Sequence, residues 1–175
     1  MNLKELQASI KDHSKDIKIN LSSIMNVEGS PSLTLKQIYG IALACAYTTH
    51  NSQLVEVLLQ ESSKILSEKD IEAIKSAATI MAMNNIYYRF CHMLDDQKFS
   101  SLPAGLRMNV IAKHGVDKVD FELYSLAASI INGCGLCVQS HSKQLIHAGL
   151  SKIAIQSCAK ISAVVNALTT VAFIN

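Results

Sequence analysis

Asn132-Gly133-Cys134-Gly135-Leu136-Cys137-Val138-Gln139-Ser140-His141 is the stretch on which the reading of this chain turns. It sets two thiols three positions apart and an imidazole four further on, at a point where a helix begins. Positions i, i+3 and i+7 share a helix face, so Cys134, Cys137 and His141 are expected to point the same way. Gly133 breaks the preceding helix, and Ser140 and Ser142 leave the opposite face polar. A thiol reacts as its thiolate, and a CxxC pair, a helix N-terminus or a neighbouring imidazole can lower a cysteine pKa to roughly 3.5–7.5. All three influences meet here. The free N–H groups of a first turn favour a negative sulfur, and His141, one turn beyond Cys137, can take its proton. Neighbours at i and i+3 have β-carbons about 5–6 Å apart, whereas a disulfide wants roughly 3.5–4.5 Å. A small adjustment in the first turn therefore closes the pair. A metal is the rival use of the same side chains, with Cys134, Cys137 and His141 as three zinc ligands and Glu122 as a candidate fourth. Structural zinc sites draw ligand pairs from two segments, and the chain has no second CxxC and no HxxxH. Two buried core thiols are the blander alternative.

Outward from the motif, the pattern is helical throughout. Leu3, Leu6 and Ile10 mark a short helix, and Ile17, Leu21 and Ile24 a second, before Gly29-Ser30-Pro31 interrupts the chain. Thr34 with Gln37 forms a capping-box signal for a helix through Ile41, Ala42 and Cys45. Thr49-His50-Asn51 opens another, carrying Leu54, Val55, Leu58 and Leu59. Ser67 with Asp70 starts a long helix to about Met93. Leu102-Pro103 leads into Leu106-Arg107-Met108-Asn109-Val110, and His114-Gly115-Val116-Asp117 makes a turn. Asp120 is the expected cap of the helix from Glu122 to Ile131. The motif helix ends at Gly149 and Ser151 starts the last one. No alternating strand pattern occurs, so the fold class is all-α.

A weak internal repeat runs through this pattern. Gln37-Ile38-Tyr39-Gly40-Ile41-Ala42 aligns without gaps to Glu122-Leu123-Tyr124-Ser125-Leu126-Ala127, an offset of 85 residues. Thr49 then falls opposite Cys134, Ser52 opposite Cys137 and Glu56 opposite His141. The expected organisation is a single domain over 1–175, with N-terminal helices in 1–30, a degenerate first repeat in 34–93 and a second repeat carrying the CxxC site in 120–175.

Composition bounds the rest. The 175 residues suffice for one sizeable core. Apolar residues make up 49% and charged residues 17%, which excludes a disordered chain. A net charge of +2, with no basic run or aromatic-basic interleaving, gives no footprint for nucleic acid. The N-terminus lacks the basic start and apolar run of a signal peptide. The longest apolar run, Ile161 to Ile174, is interrupted by Ser162, Asn166, Thr169 and Thr170 and reads as a buried helix rather than a membrane span. Five cysteines without a secretion signal point to a reducing compartment, hence a cytoplasmic protein. Cys45, Cys91 and Cys158 lie on apolar faces as structural thiols. His92 is a candidate for lining the site but is read as a core or surface residue. His13, His50, His114 and His147 fall in caps, turns or a helix end. Tyr87, Tyr88 and Arg89 are assigned to packing or a subunit boundary, and Met81 and Met83 to core filling.

Beyond the CxxC, the chain resembles the alkyl hydroperoxide reductase AhpD family within the carboxymuconolactone decarboxylase-like superfamily. Met81-Ala82-Met83-Asn84-Asn85-Ile86-Tyr87-Tyr88-Arg89-Phe90 is similar to that family's central helix. Leu106-Arg107-Met108-Asn109-Val110-Ile111 and Gly115-Val116-Asp117-Lys118-Val119-Asp120-Phe121-Glu122-Leu123 are similar to its connecting segment, and the likeness runs from Leu3 to Phe173. The resemblance implies an AhpD-like helical fold of two similar halves, a homotrimer and a role in antioxidant defence. It implies a CxxC dithiol that takes electrons from dihydrolipoamide, borne by a lipoylated dihydrolipoamide acyltransferase, and passes them to an AhpC-type peroxiredoxin. Direct reduction of organic hydroperoxides is a weaker second activity. Carried over, Cys137 matches the cysteine that becomes sulfenic acid and forms the interchain disulfide with the peroxiredoxin. Cys134 matches the resolving cysteine and proton donor, and His141 and Glu122 match the proton relay. No tightly bound cofactor or metal belongs to this scheme. Leu136 departs from the pattern, because some members carry a histidine just before the second cysteine. Two rival functions keep the fold, a non-enzymatic redox adaptor for a peroxiredoxin and a carboxymuconolactone decarboxylase-like enzyme. Decarboxylation has no use for paired thiols.

Overall fold

The structure is a computed structural model that describes residues 1–94, 99 and 101–174. Among the described residues there are eight α-helices and no strand. They are α1 (Leu3–Ser9), α2 (Lys15–Ile24), α3 (Leu35–Thr49), α4 (Ser52–Ser62), α5 (Glu68–Met93), α6 (Lys118–Ile131), α7 (Gly135–His147) and α8 (Lys152–Ile174). Short 3₁₀ turns occupy Asp12–Ser14 and Asn109–Ile111.

Helices α3 and α6 form the centre and lie against each other, each also touching α5 and α8. Their sequences explain why. From Ile38 to Ala46 every residue of α3 except Tyr39 is buried, and in α6 so is every residue from Leu123 to Ser129. Both helices are rich in Ala, Gly and Ser, which lets backbones approach. At Gly40 the approach is closest, since an added Cβ would sit 2.3 Å from Cε1 of Tyr124. The Tyr124 ring thus fills the groove that Gly40 leaves in α3.

The chain folds as two successive triplets of short, short and long helices, α3–α4–α5 and α6–α7–α8, and the long helix of each triplet packs on the leading helix of the other. Helix starts follow their local chemistry. Thr34 with Gln37 and Ser67 with Asp70 form capping boxes. Helix α6 starts earlier than the sequence reading has it. Asp117 is its cap, accepting from the Val119 N–H, and Asp120 lies in the first turn instead. There Asp120 accepts from Gln37 Nε2 at 2.9 Å and pairs with Lys36 at 3.2 Å, while Lys36 also reaches Asp70 at 2.8 Å. One lysine thereby ties the starts of α3, α5 and α6. Burial pushes the Asp70 carboxyl up, but its bonds from Lys36 and Ser67 outweigh this and hold it below its ordinary range.

Helix α8 is long and apolar enough, by length and composition, to cross a membrane. It extends beyond the Ile161–Ile174 run because only Lys152 and Lys160 interrupt its uncharged sequence. Its Ala154, Cys158, Ile161, Val165 and Leu168 are buried against the core formed with α2, α3 and α6.

Candidate functional site: a disulfide beside a cleft

Helix α6 ends with Asn132 as its C-cap, and Gly133 follows with φ +66°, the left-handed conformation that glycine adopts without strain. The Gly133 N–H donates to the Ile130 carbonyl and the Cys134 N–H to the Ser129 carbonyl, so the end of α6 closes tightly. One residue later α7 begins, with Cys134 itself as N-cap. Its sulfur takes the place of a capping oxygen and accepts from the Cys137 N–H at 3.3 Å. The first turn of α7 is therefore built around the thiol pair, and a disulfide joins Cys134 to Cys137, with Cα atoms 5.3 Å apart.

The two sulfurs have different surroundings. Cys134 is wholly buried, whereas Cys137 lines a cleft of about 910 Å³ between α5, α6, α7 and the 3₁₀ turn. Glu122 of α6 and His141 of α7 face each other in the same cleft, with Nδ1 of the imidazole 2.7 Å from Glu122 Oε2. The carboxylate oxygen accepts, which assigns the proton to Nδ1 and leaves Nε2 to exchange one with a neighbour. Both side chains are mostly covered, at 14% and 13% exposed. The four residues singled out in sequence thus come together, although Cys134 caps the helix rather than sharing its face.

Other lining residues were not read as part of the site. His114 stacks on Phe121 with ring centroids 4.4 Å apart and borders the cleft, as do Met81 and Tyr88. Their helical spacing on α5, 81 to 84 to 88, was the available signal, because it places Met81, Asn84 and Tyr88 on one face. Asn84 is buried, and its Oδ1 has no hydrogen-bond partner among the described residues. Leu136 and Ile111 give the rim an apolar character. His92 is exposed and does not border the cleft. The remaining thiols, Cys45, Cys91 and Cys158, are buried and unpaired. Burial pushes Cys45 up to about 12 and Cys158 well above its usual range, which suits packing rather than reactivity.

The alkyl hydroperoxide reductase AhpD of Coxiella burnetii is 51% identical over 172 residues, covering 98% of this chain and 97% of that protein. The chain belongs to the AhpD family. AhpD proteins of Azorhizobium caulinodans and Streptomyces avermitilis are each 45% identical, over 165 and 170 residues. These cover 94% and 97% of this chain, and 90% and 94% of the relatives. The sequence pattern of the carboxymuconolactone decarboxylase family matches residues 97–173, the part that holds α6, α7 and α8. The AhpD-like all-α fold and the membership agree with the helical reading of the sequence.

Proposed function

We propose that this AhpD-family protein is an oxidoreductase that reduces alkyl hydroperoxides and regenerates an AhpC-type peroxiredoxin, using a Cys134–Cys137 dithiol/disulfide cycle. One observation carries the reading. A buried cysteine is disulfide-bonded to a cysteine lining a cleft, beside an imidazole–carboxylate pair. The names of the relatives supply the substrate class.

In the cycle, His141 Nε2 takes the Cys137 thiol proton, and Glu122 orients the ring and stabilises the charge that develops on it. The Cys137 thiolate attacks the outer peroxide oxygen. An S–O bond forms as the O–O bond breaks, and the alkoxide leaves as an alcohol with a proton from the relay. The Cys134 thiol then attacks the sulfenic acid, releasing water and forming the disulfide. Two electrons from dihydrolipoamide restore the dithiol by exchange, leaving lipoamide oxidised. The peroxiredoxin is served by the same pair, with Cys137 forming the interchain bond and Cys134 resolving it. Leu136, where some members have histidine, leaves His141 and Glu122 as the relay. The lipoyl group is carried by a lipoylated acyltransferase. A homotrimer fits the apolar stripe that α5 exposes at Ile86, Phe90 and Met93.

The test is a coupled assay with a lipoylated protein, a peroxiredoxin and an organic hydroperoxide. Cys137→Ser abolishes turnover with and without the peroxiredoxin, and Cys134→Ser lets a mixed disulfide accumulate on Cys137. Full activity of Cys137→Ser sinks the assignment. Turnover only when the peroxiredoxin is present reduces the protein to an electron relay.

A further inference from the structure

Behind the cleft, α5 reaches the segment that precedes Cys134 through a polar network centred on a buried amide. Asn85, fully buried, donates from Nδ2 to Ser129 Oγ at 2.9 Å and accepts from Asn132 Nδ2 at 3.0 Å. One turn along α5, Arg89 Nη1 donates to the Asn132 carbonyl at 2.7 Å. Ser129 and Asn132 are the residues that close α6, and Asn132 is joined through Gly133 to Cys134. Sequence reading assigned Arg89 to packing or a subunit boundary. The structure gives it a bond to the turn that carries the buried thiol.

We infer that Arg89 and Asn85 are positioning residues of the dithiol, holding the Asn132–Gly133 turn so that the Cys134 sulfur stays within reach of Cys137 in the reduced as well as the oxidised protein. The inference rests on the dithiol reading of the site and deepens it. Glycine at 133 gives the turn freedom, and Gly135 on the other side of Cys134 adds more. Left to themselves, these glycines would let Cys134 wander once the disulfide opens. The equilibrium constant for forming an intramolecular disulfide depends on the effective concentration of one thiol at the other, which a fixed turn raises. A bond from a charged donor to the Asn132 carbonyl and a doubly used buried amide provide that fixing from α5, an element that carries neither sulfur.

The experiment is a redox titration of the full-length protein in glutathione buffers, where the dithiol is oxidised to the disulfide as glutathione disulfide becomes two thiols. Mass spectrometry reads the Cys134–Cys137 peptide, and Tm is recorded alongside. Arg89→Met and Asn85→Ala lower the disulfide-forming equilibrium constant by about tenfold, equivalent to ~30 mV for this two-electron couple. Arg89→Lys restores a value near wild type, because the bond to the Asn132 carbonyl uses one N–H of the guanidinium and an ammonium supplies one. Leu58→Ala, in α4 far along the chain from the thiols, lowers Tm and leaves the constant unchanged.

Should Asn85→Ala not fold, Arg89→Met decides. A constant unmoved in Arg89→Met overturns the inference, and so does an equal shift in Leu58→Ala, which would trace the effect to stability. A wild-type protein that shows no dithiol–disulfide transition overturns the proposed function itself. A wild-type transition that the α5 variants leave in place overturns only the positioning role.

Discussion

The turn between α3 and α4 and the turn between α6 and α7 have the same backbone plan and opposite chemistry. In the first, His50 is left-handed at φ 57°, and Asn51 caps α4 by accepting from the Leu54 N–H at 3.0 Å. In the second, Gly133 is left-handed and Cys134 caps α7 by accepting from the Cys137 N–H. Thr34 and Asp117, the caps that begin α3 and α6, complete the correspondence, and each of these pairs lies 83 positions apart. The ungapped sequence offset of 85 is therefore displaced by two at the turn. Asn51 stands opposite Cys134, Leu54 opposite Cys137 and Leu58 opposite His141, while Tyr39 stands opposite Glu122. The difference teaches how little a helix start must change to become a redox site. A cap oxygen becomes a sulfur, and two core leucines become a thiol and an imidazole facing a cleft.

That comparison breaks first at its chemical end. His141→Phe or Glu122→Gln slows hydroperoxide turnover by about 10²–10⁴, the span of a positioned acid–base group, and moves the pH profile of Cys137 alkylation to higher pH. Unchanged alkylation across the pH range refutes the relay. Its structural end is sharpened by Leu58→Ala, the counterpart of His141. Leu58 is 1% exposed, so the truncation costs about 2–5 kcal/mol by urea denaturation, while hydroperoxide turnover per folded molecule is retained. A loss of turnover beyond the folded fraction would mean that the two halves are chemically coupled.

The smallest effect separates the long helices of the triplets. Helix α5 starts with Ser67 and an acidic Asp70, whereas α8 starts with Ser151 accepting from the Ala154 N–H and no acid partner. Asp70 is held below its ordinary value of 3.8, so its contribution is present above that value and is lost as the pH falls through the lower folded one. Lys36→Met removes about 1 kcal/mol at neutral pH and makes acid unfolding begin at a higher pH, because the carboxyl loses the partner that keeps it ionised. Identical acid-unfolding curves would show that Lys36 does not hold Asp70.

Local signals were legible wherever the interaction is local. The capping boxes at Thr34 and Ser67 bind a backbone N–H to a side chain three residues away, so sequence spacing determined them. The apolar periodicity fixed the helices and their buried faces, and the Cys134–Cys137–His141 spacing located the candidate site. Asp120 was misread as a cap because its partners, Lys36 and Gln37, lie more than eighty residues earlier. Arg89 and Asn85 gave no signal that spacing could resolve, since their partners Ser129 and Asn132 lie more than forty residues further along the chain. The chain by itself therefore determined which segments coil and which thiols can meet, through bonds spanning a turn or less. Tertiary packing alone decided which thiol faces the cleft, which carboxylate meets the imidazole and which side chains brace the turn, because those contacts exist only after α3 and α6 have buried their faces against each other.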